Sequence, residues 1–433
     1  MKILHVASSE TSGAGRAALR LHEGLLNNNI DSNALVLYKK SPKGLAAHRD
    51  RQSIEQVDKK ARIYKQVQDK LSKRITQKVF GCDHTFSANF TPSLILDDIK
   101  AKQADVINLH WIGREFIKIE ELQEFNTPIV WTLQDMWSFT GGCHYSETCD
   151  RYTESCGSCP QLEGDKEQDL SRWIWQRKAK AWKDLNLTIV APGTWIAECA
   201  RASSLFGDRR IEVIPFALDT EVYKPVEPQA ARKLLNLPQD KQLILFGAFS
   251  STSDKRKGFH LLVPALQKLS QTDLQTNAEL VIFGADEPKD PVDLGFKTHY
   301  LGRFDDEVAL SQLYSAADVM IVPSIQESFG QTASESLACG TPVVAFNATG
   351  QRDIVEHQDC GYLAQPYEVE DLAQGIAWVL QDTQRHQQLR LNARAKAIAT
   401  YALDLQAQSY LSLYQELLAT SQQQQMPQPV TVS

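Results

Sequence analysis

Glu327 and Glu335 stand on either side of a short loop and the start of a predicted helix. An apolar run, Val319–Val322, predicts a strand that ends before Pro323, and the helix is predicted over residues 331–339. Carboxylates only accept hydrogen bonds, which suits them to vicinal hydroxyl groups, and the amides at a helix start attract phosphate. The pattern therefore predicts a site for a phosphorylated, hydroxyl-rich ligand. The alternative is two ordinary surface glutamates.

Lys255, Arg256 and Lys257 form a basic turn that ends at Gly258 and follows the predicted strand Leu243–Phe246. Three adjacent cations beside a glycine suit a diphosphate leaving group, because they would stabilise the negative charge that develops on it. The alternative is a solvated basic turn that binds nothing.

Gly13 and Gly15 belong to a glycine loop, residues 12–16, which joins the first predicted strand, Ile3–Ala7, to a helix ending near Leu26. A single Gly-x-Gly is a weak signal for phosphate binding, and the third glycine and the downstream acid of a dinucleotide site are missing. The alternative is a tight turn between strand and helix.

Four cysteines lie in an insertion, residues 143–160, that has almost no apolar residues: Cys143, Cys149, Cys156 and Cys159. Their spacing ends in C-x-x-C, and four thiolates suit tetrahedral zinc. A metal would stabilise a segment that has no core of its own. The spacing therefore predicts a structural zinc site, in which His144 could replace one ligand. Free or redox-active thiols and disulfides are the alternatives.

The elements that must position these residues alternate between apolar strands and helical patterns, which predicts parallel α/β sheets covered on both faces. At 433 residues the chain is long enough for two domains, and the segment YKPVEPQ at 223–229 is typical of a linker. We expect two doubly wound, Rossmann-like domains that face each other across a cleft. The predicted strands are 3–7, 34–38, 105–109, 129–133, 187–191, 211–215, 243–246, 280–283, 319–322 and 342–345.

Four segments follow from this division. The first domain is predicted over residues 1–222 and contains the Cys-rich insertion, and the second over residues 223–400. A helix at 401–420 has one apolar face and is expected to pack back on the first domain. The low-complexity residues 421–433 are predicted to be a disordered tail.

The composition excludes several classes of protein. A net charge of −7 argues against a nucleic-acid binder, which usually carries a basic footprint. The chain has no apolar stretch of the roughly 18 residues that a membrane span needs, and its first residues do not form a signal peptide. We therefore expect a cytoplasmic protein.

Residues 58–78 depart from this acidic balance, with eight Lys or Arg and two Asp. Ile63, Val67, Leu71 and Ile75 recur at every fourth position and form one stripe of a predicted helix. Such a helix can lie on an anionic membrane surface, which would make the protein peripheral at the inner face of the plasma membrane. The alternative is that the stripe packs on the first domain.

The stretch around the two glutamates resembles the retaining glycosyltransferases of family 4, which have the GT-B fold. Glu327 and Glu335 match the E-x7-E signature of that family, and PSxxESFG, ACGTPVVA and GxxDIVE beside them match as well. The resemblance implies that Glu335 accepts hydrogen bonds from the ribose of a nucleotide sugar. Glu327 would lie near hydroxyls of the transferred sugar, and Ser328, Phe329 and Gly330 would offer backbone N–H groups.

The same resemblance implies that Lys257 reaches the donor diphosphate. The family usually has an arginine where Ala248 stands, so Arg256 or Lys255 would have to supply the missing charge. The glycine loop would lie across the cleft and touch the donor phosphate or the acceptor.

Gln134, after the strand at 129–133, stands where the family typically has a histidine that contacts the transferred sugar. Glutamine still donates and accepts hydrogen bonds but carries no proton. Front-face attack, in which the leaving phosphate takes the acceptor proton, needs no side-chain base, so Gln134 is expected to position the sugar. His110 and His144 are further candidates in the same half.

The motifs DVINLHW, WTLQDMW and GGCHY narrow the resemblance to transferases that build bacterial exopolysaccharides of the colanic-acid kind. This implies a retaining hexosyltransferase-type enzyme that uses a UDP- or GDP-sugar, a glycan or lipid-linked acceptor, and no metal in the donor chemistry. The alternatives are a sugar-nucleotide epimerase of the same fold and a non-catalytic sugar-nucleotide-binding protein. Ala248 and Gln134 favour the second of these alternatives.

Overall fold

Two parallel α/β sheets form the frame of the protein in a computed structural model that describes residues 1–39, 52–80, 86–162, 165–248 and 251–425. The chain divides into two compact units. The first takes its described residues from Met1–Ser41, His48–Ile214 and Asp404–Ser433, and the second takes most of its residues from Pro215–Leu403. The strand pairings in both sheets are parallel. The predicted α/β class is confirmed.

The first unit is built on seven strands. They are β1 (Lys2–Ser9), β2 (Asp31–Tyr38), β3 (Ile54–Gln56), β4 (Val106–Leu109), β5 (Ile129–Thr132), β6 (Leu187–Ala191) and β7 (Ile211–Val213). Its helices are α1 (Gly13–Asn27), α2 (Lys59–Phe80), α3 (Leu96–Ala101), α4 (Leu170–Trp182) and α5 (Thr194–Ala202). The strand order is β3-β2-β1-β4-β5-β6-β7.

The second unit is built on six strands. They are β8 (Gln242–Gly247), β9 (Ala278–Phe283), β10 (Thr298–Tyr300), β11 (Val319–Val322), β12 (Val343–Phe346) and β13 (Gly361–Ala364). Its helices are α6 (Pro228–Leu234), α7 (Phe259–Leu269), α8 (Leu274–Asn277), α9 (Glu307–Ala316), α10 (Gln331–Ala338), α11 (Gln351–Ile354), α12 (Val369–Gln381) and α13 (Thr383–Tyr401). The strand order is β10-β9-β8-β11-β12-β13.

The order of strands reverses between β8 and β11 in the second unit and between β1 and β4 in the first. Ligands of open parallel sheets bind outside the carboxyl ends of the strands at such a reversal. In the second unit, the basic turn comes after β8 and Glu327 comes after β11. The topology therefore brings these two predicted features to one edge of one sheet.

Three strands were missed in the sequence: β3, β10 and β13. Each lies at the edge of its sheet. An edge strand has a neighbouring strand on one side only. It is therefore often short and often lacks the continuous apolar run that marks a central strand. β10 shows this clearly, because all three of its residues are only half-buried.

The segment predicted as a linker, residues 223–229, belongs to the second unit, and the first unit breaks off at Ile214. Tyr223 is fully buried, and its carbonyl accepts a hydrogen bond of 2.7 Å from Arg394 Nη1. Val226 N donates to Ser315 Oγ over 3.2 Å. The prediction of a linker was wrong because Val226 bonds to α9, Tyr223 bonds to α13, and Pro228 starts α6 at a favoured first helical position.

The last helix, α14 (Leu403–Gln425), belongs to the first unit from Asp404 onward. Tyr410 and Tyr414 are fully buried on it; the Tyr410 hydroxyl lies 2.8 Å from Thr132 Oγ1, and Asn108 Nδ2 donates to the Tyr414 hydroxyl over 2.7 Å. The helix runs to Gln425, so the predicted tail begins too early, and residues 426–433 lie outside the described part. Within the described ranges, no helix is long and apolar enough to cross a membrane.

Candidate functional site

Glu327 lies in the loop that joins β11 to α10, at the carboxyl edge of the second sheet. Gly330 precedes α10 with a φ of 113°, a conformation that glycine adopts without steric cost. The loop is braced from the other side, since Glu327 N donates to Thr349 Oγ1 over 3.1 Å and Gly350 N donates to Glu327 O over 3.0 Å. The backbone around the carboxylate is thus fixed by residues that follow β12.

The basic turn contacts this loop directly. Lys257 Nζ lies 2.5 Å from Glu327 Oε1, and Arg256 Nη1 lies 3.3 Å from Glu327 Oε2. Ser324 Oγ donates to the same carboxylate over 3.1 Å. Burial raises the pKa of Glu327, but the charges of Lys257 and Arg256 outweigh burial and lower the pKa to about 2. The carboxylate is therefore ionised throughout the physiological pH range.

Gly258 explains why the turn can approach so closely. Its φ is 75°, and a Cβ at this position would lie 1.7 Å from the carbonyl oxygen of Pro323. Ile325 N also donates to Arg256 O over 2.8 Å. The glycine therefore allows the end of the turn to rest on the end of β11.

Arg256 is the cation that joins Lys257 at the Glu327 carboxylate, and whether Arg256 or Lys255 supplies the charge missing at Ala248 stays a prediction. The guanidinium also donates to Gln326 O over 2.9 Å and to Asp254 Oδ2 over 3.0 Å. Lys255 has an exposed side chain. The turn is a 3-10 helix of three residues, so its successive side chains point in different directions.

Glu335 lies on α10 and is 4% exposed. Its Oε2 accepts a hydrogen bond of 3.1 Å from the hydroxyl of Tyr314, which lies on α9 and is fully buried. Burial, and then the charge of Glu335, raise the pKa of Tyr314, so the phenol stays protonated and donates. Sequence reasoning missed Tyr314, because an aromatic residue on the apolar face of a helix is indistinguishable from core packing.

Ser328, Phe329 and Gly330 occupy the turn between Glu327 and α10. The Phe329 ring is a packing residue, with its centroid 5.2 Å from that of Phe216 and 5.7 Å from that of Tyr401. The segment it anchors stands at the positive end of the α10 dipole. The role of Ser328, Phe329 and Gly330 as backbone donors to a ligand stays a prediction.

In the first unit, the glycine loop joins β1 to α1. Ser12 caps the helix by accepting a hydrogen bond of 3.1 Å from Gly15 N. A Cβ on Gly15 would lie 1.5 Å from Ser9 O, so the helix start touches the strand end. The close packing thus explains why position 15 is a glycine. A ligand role for Gly13 and Gly15 stays a prediction.

Gln134 follows β5 and lines a small cavity with His110, Trp111 and Ser138. Its Nε2 lies 3.5 Å from His110 Nδ1, and the other ring nitrogen of His110 lies 3.1 Å from His5 Nδ1. Burial lowers the pKa of His110 to about 3. His110 therefore stays neutral, and its ring contacts the Gln134 amide and helps to hold it in place.

His144 does not lie where a sugar or a metal could reach it. It is 2% exposed, its Nδ1 lies 2.6 Å from Asp135 Oδ2, and its Nε2 lies 2.7 Å from Ser87 Oγ. Asp135 also accepts a hydrogen bond of 2.6 Å from Trp111 Nε1. Because both ring nitrogens are engaged in the core, His144 is a structural residue, and its candidacy as a sugar contact or metal ligand was wrong.

The four cysteines of the insertion line one cavity and remain thiols. Burial raises the pKa of Cys143, and it raises the pKa of Cys156 to about 12. In the part of the chain that the structure describes, no three His, Cys, Asp or Glu side chains are arranged to hold a metal ion. The structure thus brings the four thiols to one cavity without a ligand arrangement for a metal, and the structural zinc site stays a prediction beside its alternatives.

Comparison with known proteins finds one family that the second unit resembles. Residues 229–396 match the family described as glycosyl transferases group 1. An uncharacterized glycosyltransferase of Methanocaldococcus jannaschii is 30% identical over 190 residues, which are 42% of this chain and 47% of that protein. A D-inositol 3-phosphate glycosyltransferase of Xylanimonas cellulosilytica is 33% identical over 47% of this chain and 51% of its own length. The chain thus spans about half the length of these relatives.

Solved structures match over nearly the whole chain. Sucrose-phosphate synthase from Thermosynechococcus elongatus has a TM-score of 0.68 at 19% identity, covering 97% of this chain and 100% of that one. HepE from Anabaena, solved with UDP and glucose, has a TM-score of 0.63 at 17% identity, covering 96% and 99%. At this level of identity, the likeness shows that the chain shares their fold.

Proposed function

We propose that the chain is a retaining glycosyltransferase, because residues 229–396 match the glycosyl transferases group 1 family and the chain has a GT-B fold. It would move a sugar from a nucleotide-diphosphate sugar to an acceptor. The observation that carries the proposal is the convergence of Lys257 and Arg256 on Glu327 beside the start of α10. Two cations and an ionised carboxylate at the strand reversal of the sheet suit a diphosphate on one side and sugar hydroxyls on the other.

Each residue of the site would have one task. Lys257 and Arg256 would stabilise the charge that grows on the leaving diphosphate, which is where such catalysis gains most of its rate. Glu327 would accept a hydrogen bond from the transferred sugar, and Glu335 would accept hydrogen bonds from the ribose. Backbone N–H groups of residues 328–330 would contact the donor at the α10 N-terminus.

The first unit would supply the acceptor side. Gln134 would hold the sugar through its amide, with His110 supporting it, and the glycine loop would contact the donor phosphate or the acceptor. Retention would follow from front-face attack, in which the leaving phosphate takes the acceptor proton. No side-chain base is then needed, so glutamine is compatible with turnover at a position where the family has histidine.

A uridine nucleotide is our first choice for the donor, and HepE from Anabaena, which has the same fold and was solved with UDP-glucose, supports it. A GDP-sugar is the second choice. The acceptor would be a glycan or a lipid-linked sugar, and the N-terminal motifs favour a role in building cell-surface or exopolysaccharide chains.

The test is release of nucleoside diphosphate from UDP- and GDP-sugars in the presence and absence of oligosaccharide and lipid-linked acceptors. Replacing Lys257 by Ala should lower kcat by about 100-fold or more, as the loss of one charge-stabilising group does in other enzymes. Lys255→Ala, which removes the exposed neighbouring cation, is the matched control and should have little effect.

Two outcomes would replace the proposal with its alternatives. Conversion of the donor sugar without its transfer to an acceptor and without net release of nucleoside diphosphate would indicate an epimerase. Donor binding with no turnover under any acceptor would indicate a binding protein, and Lys257→Ala would then weaken binding alone.

A further inference from the structure

Helix α2 exposes three residues of its apolar stripe, and the fourth, Ile75, is partly buried. The exposed fractions are 53% for Ile63, 61% for Val67 and 53% for Leu71, and Tyr64 beside them is 39% exposed. Large apolar side chains that are exposed side by side mark an interaction surface. For these three residues, the alternative that the stripe packs on its own domain was therefore wrong.

The opposite face of the helix is the buried one, although its side chains are polar. Gln68 Nε2 donates to Pro92 O over 2.8 Å, and Ser72 Oγ donates to Glu115 Oε1 over 3.1 Å. Glu115 is fully buried and also accepts hydrogen bonds of 2.9 Å from Phe90 N and Thr91 N. These bonds hold the polar face inward, because turning the helix would leave a buried carboxylate without its donor.

Basic residues surround the exposed stripe. Lys60 and Arg74 stand three residues before Ile63 and three residues after Leu71, so they lie on the stripe's own face at its two ends. Lys59, Lys70 and Lys73 are also exposed. Between Lys59 and Phe80, Asp69 is the one acidic residue. The outward face thus combines an apolar centre with a cationic rim.

We propose that α2 lies flat on an anionic lipid bilayer, with Ile63, Val67 and Leu71 inserted among the acyl chains and the rim on the headgroup phosphates. This pattern of apolar centre and basic rim is the one that interfacial helices use, and anionic lipid attracts such a rim. A second copy of the chain is a poorer occupant, because self-pairing would bring two strongly cationic helices together. The inference does not depend on the proposed donor site.

The test is co-sedimentation of the full chain with phosphatidylcholine vesicles, with and without phosphatidylglycerol. Binding should require the anionic lipid and weaken as salt rises. The triple variant Ile63→Ser, Val67→Ser, Leu71→Ser should lower the partition coefficient by roughly tenfold or more, since three inserted side chains are lost. Leu391→Ser, which removes another exposed leucine, on α13, is the matched control.

Circular dichroism and a thermal melt of the triple variant would check that it folds, which we expect because the replaced side chains are already exposed. Equal binding of the triple variant and the wild type, or equal binding to neutral and anionic vesicles, would overturn the proposal. The proposal would also be overturned if the wild type formed an oligomer that the triple variant does not form, and neither protein bound vesicles. The stripe would then be a protein interface.

Discussion

The hydroxyl of Tyr314 on α9 donates a hydrogen bond of 3.1 Å to Glu335 on α10. No sequence motif identified Tyr314. The family resemblance implies that Glu335 binds the ribose of the donor. Burial on α9 keeps the phenol protonated, so one lone pair of the carboxylate is committed and its orientation is fixed. Tyr314 is thus a positioning residue for the proposed donor site.

Replacing Tyr314 by Phe should raise KM for the donor about 5- to 10-fold and leave kcat nearly unchanged, because one hydrogen bond that orients a binding group is worth about 1 kcal/mol. Tyr362→Phe is the control, since its hydroxyl donates over 2.7 Å to a different carboxylate, that of Asp371 on α12. A Tyr314→Phe enzyme with unchanged KM would show that Glu335 does not need this partner.

Gly258→Ala should disrupt the basic turn. The new methyl group would lie 1.7 Å from Pro323 O, whereas in Gly302→Ala it would lie 3.3 Å from its nearest neighbour, Asp286 Oδ1. Both glycines have positive φ, so both variants carry the left-handed strain of about 1–2 kcal/mol, and the difference isolates the clash. We expect urea unfolding to show several kcal/mol lost in Gly258→Ala and only the strain lost in Gly302→Ala. Equal losses would mean that the turn does not rest on β11.

The ion pair at Glu327 should give a defined dependence of stability on pH. Because the pKa is lowered from 4.5 to about 2 in the folded protein, the carboxylate contributes stability that is present above pH 4.5 and lost as the pH falls toward 2. The contribution is at most about 3 kcal/mol. The measurement is the free energy of unfolding of the wild type and Glu327→Gln between pH 7 and pH 3. Their difference should shrink only below about pH 4.5, and a difference already gone at pH 6 would contradict the ion pair.

The central strands and the β11–α10 segment were predictable because a short stretch of sequence determines each of them. Val319–Val322 is a continuous apolar run, Pro323 ends it, and Gly330 stands where the helix must begin. The resemblance implied that the basic turn and Glu327 serve one donor, but not that they contact each other, and the strand order β8-β11 gives that contact a physical cause.

What was missed depends on contacts between residues far apart in the chain. Edge strands such as β10 have no apolar run, Tyr314 resembles a core residue, and Tyr223 resembles a linker residue until α13 is packed against it. Helix α2 was predicted from its apolar spacing. Which face it buries is decided by Glu115, 43 residues from Ser72, and no local pattern contains that information.

The most direct test of the account is donor binding, measured as the shift in melting temperature of the full chain with UDP- and GDP-sugars. A ligand that binds only the folded state stabilises it by about 2.7 kcal/mol at 100 times its Kd. We predict a clear rise with one nucleotide family in the wild type and in Glu370→Gln, an exposed glutamate on α12, and no rise in Glu335→Gln. A folded wild type that no nucleotide sugar stabilises, or a Glu335→Gln variant that responds like the wild type, would contradict the assignment of the site.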